Sequence, residues 1–111
     1  MVWSSLFADI TVVASDGDSL TSKISSQASR CDYYIVIDEQ GKVLETIQNS
    51  HKDVKGGASS KLVTMLKRKN ISRMISARFG DKLISALESS NIKYTVYEGD
   101  IHSAVKYIKT Q

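Results

Sequence analysis

The sequence predicts a single α/β domain, a mixed five-stranded sheet with helices packed on it, in the order β-β-β-α-β-α-β-α. Three observations predict it. Short strand-like apolar runs occupy the first half without an intervening helical period. The second half alternates helical and strand-like patterns, which implies parallel strands joined by right-handed crossovers. A length of 111 residues, with no internal repeat, is the size of one domain and can bury a core without disulfides or a structural metal.

Residues 10–14 are a β-branched apolar run that stops at Ser15, Asp16, Gly17 and Asp18, a strong turn signal. A run apolar toward both faces belongs in a central, fully buried strand. Residues 19–31 are Ser-rich and aperiodic, a long connection of the kind that often carries function. Residues 33–37 and 42–47 are two strand-like runs split by a loop in which Gly41 can take a positive φ, so a hairpin is expected. Its second arm alternates imperfectly, as an edge strand does. The polar stretch from 48 closes with Gly56 and Gly57, and a helix should start near Ser59 or Ser60, capped by one of their hydroxyls. Ala58, Leu62, Met65 and Leu66 recur at helical spacing until Lys69 and Asn70. A strand over 71–75 follows, then a helix opened by Gly80 and Asp81 with Leu83, Ile84 and Leu87 inward. Residues 92–97 alternate cleanly as a strand, and Asp100 caps a last helix burying Ile101, Ala104, Val105 and Ile108.

Composition narrows the function classes. Hydrophobic content of 41% and charged content of 24% are those of a folded globular chain. No apolar run approaches the ~20 residues of a membrane span, and residues 1–8 lack the basic and apolar regions of a secretory leader. The one cysteine, Cys31, permits no internal disulfide and suits a reducing compartment, so a cytoplasmic location is expected. Net charge is +3, and Lys61, Lys67, Arg68, Lys69, Arg73 and Arg78 fall in a stretch free of acids. Such a patch favours an anionic partner, unless it is simply a solvated helix face; nucleic acid is not the expected one. Trp3, Leu6 and Phe7 make residues 1–9 an apolar arm that could pack on the core or on a second copy in a homodimer.

Several groups could carry chemistry. Cys31 as thiolate would be a soft metal ligand, its pKa lowered by Arg30 and raised by Asp32; the plain alternative is a small residue packed at a strand start. One thiol cannot build a four-cysteine cluster site. His51 is a second possible ligand or an ordinary loop histidine, and His102 reads as surface. Gly56 and Gly57 before a helix can present backbone N–H groups to an anion, with Lys55 and Lys61 alongside. Asp16 and Asp18 read as turn residues. The strands over 10–14 and 71–75 carry no acid, which disfavours a two-metal nuclease. No phosphate-binding loop, nucleophile elbow or Ser-His-Asp arrangement is present, so no enzyme is expected.

Val13, Ala14, Ser15, Asp16 and Gly17 at the end of the first strand, Arg30 before an aromatic strand start, Asn49 after the hairpin, the Gly56-Gly57-Ala58 helix entrance, Asn91-Ile92 and Val96-Tyr97 follow one another at characteristic spacing. In this order they resemble the dinitrogenase iron–molybdenum cofactor biosynthesis family (NifX-like), from about residue 10 to 109. The resemblance implies a ribonuclease-H-like three-layer fold for residues 10–111. It also implies a prokaryotic, non-catalytic binding or carrier role for an anionic iron–sulfur or iron–molybdenum cluster or its precursor, alongside cluster-assembly proteins. Gln27, Ala28 and Ser29 stand where the family carries a loop His-Phe-Gly; only Arg30 matches. The alternative is therefore a protein-interaction or regulatory domain of the same fold that has lost cluster binding. The expected site comprises Arg30, Cys31, Gly56, Gly57 and Lys61 for the cofactor, with Cys31 and His51 as metal ligands. It requires the Arg30 loop and the double-glycine entrance to meet at one rim of the sheet.

Overall fold

The computed structural model describes residues 9–111; apart from Asp9, the expected apolar arm lies outside the described residues. The chain runs β1 (Thr11–Ser15), β2 (Tyr33–Ile37), β3 (Val43–Gln48), α1 (Ala58–Arg68), β4 (Arg73–Ser76), α2 (Asp81–Ser89), β5 (Lys93–Val96) and α3 (Ile101–Lys109). The element order and the mixed five-stranded sheet are those the sequence predicts.

In the sheet the strands stand in the order β3-β2-β1-β4-β5. β1 is antiparallel to β2 and parallel to β4; β2–β3 is antiparallel and β4–β5 parallel. β1 is central, and all five of its residues are buried, because helices cover both faces of the sheet. On one face Val12, Ala14, Tyr34, Val36 and Met74 pack against Leu62, Val63 and Leu66 of α1 and Leu83 and Leu87 of α2. On the other, Val13, Ile35, Ile37 and Ile75 meet Ile101, Ala104 and Ile108 of α3, together with Ile24 from the long connection. β3 is an exposed edge strand, as its imperfect alternation suggests, and its pairing with β2 shifts register between Val36 and Ile37.

Three local features differ from the expectation. α1 begins at Ala58, and its N-cap is Gly57 at φ 74, with no side-chain cap; Ser59 and Ser60 fall inside the first turn. Ala58 is buried, so core packing sets the start one residue ahead of the serines. Ile71 and Ile92 each precede a strand by one residue or more and complete helix ends instead. Asn70 (φ 56) and Asn91 (φ 58) take the left-handed conformation. The N–H groups of Asn70 and Ile71 donate to Lys67 O and Leu66 O, and those of Asn91 and Ile92 to Glu88 O and Leu87 O. Both are Schellman closures, with asparagine where glycine is commonest. Finally, the Ser-rich connection is pinned in place. Ile24 is fully buried and donates its N–H to Gly99 O. The Ser25 N–H bonds Ala14 O, and Ser25 O accepts the Ser76 hydroxyl at 2.9 Å.

Candidate functional site at the carboxyl rim of the sheet

The parallel strands β1 and β4 end at Ser15 and Ser76, and the loops over 16–32, 49–57 and 77–80 leave from that rim. In open α/β sheets, ligands bind in crevices outside the carboxyl ends of the strands. Here two side chains tie the loops together. Arg30 donates from Nη1 to Lys52 O at 3.0 Å and to Val54 O at 2.6 Å. Asn49, buried at the end of β3, donates from Nδ2 to Cys31 O at 2.9 Å and to Ser29 O at 3.3 Å, while its Oδ1 accepts the His51 N–H at 3.0 Å. An exposed Lys52–Asp32 ion pair spans the same two segments, and the carboxylate raises the lysine's pKa chiefly through their hydrogen bond.

The Arg30 loop and the double-glycine entrance therefore do meet. Arg30, Lys55, Gly56, Gly57, Asp81 and Lys82 line one cleft of about 710 Å³ between the starts of α1 and α2. Both helix N-termini open onto it. Gly57 is the N-cap of α1 and Gly80 that of α2, so neither helix has a side-chain cap. The first N–H groups of each helix have no partner within the helix, so they add to the positive end of each helix dipole. Three cations face one carboxylate, Asp81, in this lining. A side chain at Gly56 or Gly57 would meet nothing within 4 Å, so the backbone there borders open space. Arg78 and Gly80 share a smaller depression with the 26–30 loop.

The remaining expected residues are placed differently. Lys61 and His51 open onto a neighbouring cavity of about 480 Å³ between α1 and β3, which shares Ser29, Ala58 and Ser60 with the first. Cys31 lines neither. It is 3% exposed, and its thiol donates to Tyr33 O at 3.1 Å. Burial pushes the thiol up to about 11, against an ordinary 9.0, so it is protonated at neutral pH. Tyr34, whose hydroxyl donates to Ala28 O at 2.8 Å, is likewise raised by burial. Arg30 is held against the opposite loop and its charge does not lower the thiol. His102 is exposed on α3, and Asp16 and Asp18 sit at a bend after β1. Among the described residues, no group of three or more His, Cys, Asp or Glu could hold a metal ion. The donor set does not fit a ligated cluster; it fits an anion held by charge and N–H donors. Sequence reasoning did not select Lys82, which comes from another helix; Arg78 entered only as the last residue of the acid-free basic stretch.

The fold and this rim define a small three-layer α/β domain with a basic cleft at the carboxyl ends of its parallel strands. The chain belongs to the family described as dinitrogenase iron-molybdenum cofactor, whose model matches residues 9–111. No curated protein matches it. Among solved structures it is similar to the apo form of the orange protein from Desulfovibrio gigas, at 19% identity over 88% of this chain and 84% of that one, with a TM-score of 0.79. It is also similar to a candidate NifB protein from Thermotoga, at 25% identity over 92% and 88%, TM-score 0.76. A candidate dinitrogenase from Methanocaldococcus jannaschii matches at 18% identity over 91% of each chain, TM-score 0.59. Among the described residues, no helix is long and apolar enough to cross a membrane.

Proposed function

We propose that this domain is a non-catalytic binding or carrier module for an anionic iron–sulfur or iron–molybdenum cluster, or its precursor, acting with cluster-assembly proteins in the cytoplasm. The observation that carries this reading is the cleft with two uncapped helix N-termini and an excess of cations over carboxylates. Family membership supplies the class of cargo. With the single thiol protonated and turned inward, the cargo is held by Lys55, Lys82 and the N–H groups after Gly57 and Gly80, and Arg30 fixes the loop that forms the wall.

Anaerobic reconstitution with iron, sulfide and molybdate, followed by metal analysis and absorption spectra, tests it. Wild type and Cys31→Ala are expected to take up the same cluster, and Lys55→Gln/Lys82→Gln to bind it at least ~5-fold more weakly, from ~0.5 kcal/mol per screened charge. Wild type that takes up no metal overturns the reading. The second reading, an interaction or regulatory domain, is favoured by Gln27, Ala28 and Ser29 in place of the loop His-Phe-Gly. It expects no metal uptake and an oligomeric state that changes when residues 1–8 are removed, measured by size-exclusion chromatography.

A further inference from the structure

The cavity between α1 and β3 has a chemistry of its own. Its floor is apolar: Tyr34 and Ile47 from the sheet, Leu62 and Met65 from α1. Lys61 and Arg68 stand along its rim, about 10.5 Å apart along the helix axis at seven residues' separation. No Asp or Glu lines it, and among the described residues neither cation is in an ion pair. At about 480 Å³ it falls in the size range of small-molecule sites, roughly 300–1,000 Å³.

Three of the polar side chains around it are already committed. The Tyr34 hydroxyl donates to Ala28 O, the Thr64 hydroxyl to Ser60 O, and the Asn49 amide to Ser29 O and Cys31 O. The floor is apolar, the rim carries positive charge and no carboxylate opposes it, and desolvated apolar surface with a few placed charges is what fixes an amphipathic ligand. We propose that this groove binds a small organic monoanion with an apolar body, of the medium-chain or aromatic carboxylate class. This groove adjoins the cation-rich cleft between α1 and α2 but is lined by its own cations, and binding in it does not depend on metal uptake there.

The test is an amide-resolved NMR titration of the whole chain with octanoate, with octanol and inorganic phosphate as the apolar-only and charge-only controls. Octanoate is expected to shift the amides over 47–51 and 61–68 and to bind at least ~5-fold more tightly than either control there, the worth of about one screened ion pair. Lys61→Gln/Arg68→Gln replaces two exposed side chains, leaves the core untouched, and should weaken octanoate by at least ~5-fold, leaving octanol unchanged. Met65→Glu, which puts a carboxylate on the floor of the groove, should abolish octanoate binding in a protein whose thermal melt stays cooperative. The proposal is overturned if octanoate leaves these amides unmoved, if octanol binds as tightly as octanoate, or if the double variant binds octanoate like wild type.

Discussion

Raising the pH should destabilise this protein through one buried thiol. Cys31 is almost fully enclosed, and burial, the largest influence on it, lifts the thiol from 9.0 to about 11. In the unfolded chain the thiol is hydrated and releases its proton near the ordinary value. The folded state therefore binds the extra proton between pH 9 and 11, and stability falls with rising pH across that window. Below pH 9 the contribution is fully present. Above pH 11 the loss reaches roughly 2–3 kcal/mol, most of it already gone by pH 10.5. Urea unfolding of wild type and Cys31→Ala at intervals from pH 7.5 to 10.5 measures it. Lysine and surface tyrosine titrations are common to both proteins, so the difference between the two curves isolates the thiol. The wild type should lose its lead over the alanine variant as the pH climbs. Parallel curves, or a thiol that reacts with a water-soluble disulfide in the native state at pH 8 as fast as a free cysteine, would refute the account of Cys31 as a protonated interior group.

Three further outcomes follow from the same geometry. Asn49→Ala strips partners from Cys31 O and Ser29 O in a buried site, and should cost about 2–3 kcal/mol in urea unfolding and speed amide exchange over 29–33. Asn91→Ala forces an alanine to the left-handed conformation that closes α2 and should cost about 1 kcal/mol, whereas Asn91→Gly should not destabilise the fold. Asp100 caps α3 through the Ser103 N–H at 2.8 Å, a bond that holds its carboxyl below the usual carboxylate range. That contribution is present above the ordinary carboxylate pKa and is lost as the pH falls through the lowered value, so Asp100→Asn, which still caps, should flatten the acid limb of a melting-temperature profile between pH 5 and 2.

Much of the fold is legible in the sequence because burial on both faces leaves a signature. The β-branched apolar run at 10–14 belongs to the central strand, buried along its whole length, and β3, uncovered at the edge, alternates poorly. Helix ends are less legible. Serine propensity for N-caps points to Ser59 or Ser60, but the buried Ala58 and the positive φ of Gly57 decide the start, and side-chain preference is worth less than a packed residue. Ile71 and Ile92 look like first strand residues because both are apolar and β-branched; their N–H groups close the preceding helices instead. At the site, the convergence of Arg30 with Gly56 and Gly57 is anticipated, since both segments leave the same end of the sheet. The direction of the Cys31 side chain is left open in the sequence between a metal ligand and a small packed residue, and the structure takes the second. Whether a residue just before a strand points inward or outward depends on a turn conformation that no local pattern encodes, and here the loop over 28–31 packs both Ala28 and Cys31 into the core. Lys82 is invisible for a different reason: it reaches the cleft only because α2 lies beside α1.

These placements change what kind of binding site the rim can be. A cluster ligated by thiolate would need Cys31 rotated out of the core and stripped of a proton it keeps up to about pH 11, and His51, exposed above a different cavity, offers no partner ligand beside it. Charge and N–H donors ask for no such rearrangement, and they carry a consequence that ligation does not. Fields from exposed lysines are screened over about 10 Å at 0.1 M salt and about 3 Å at 1 M. Cargo held at this cleft should therefore leave as ionic strength rises, with the helix N-termini retaining only what lies in direct contact. Gel filtration of the reconstituted protein at 0.05 and 1 M sodium chloride, with metal assayed in the protein peak, follows this directly. Metal that stays bound at 1 M and is lost in Cys31→Ala would show that the thiol ligates after all and that the cationic cleft is not what holds the cargo.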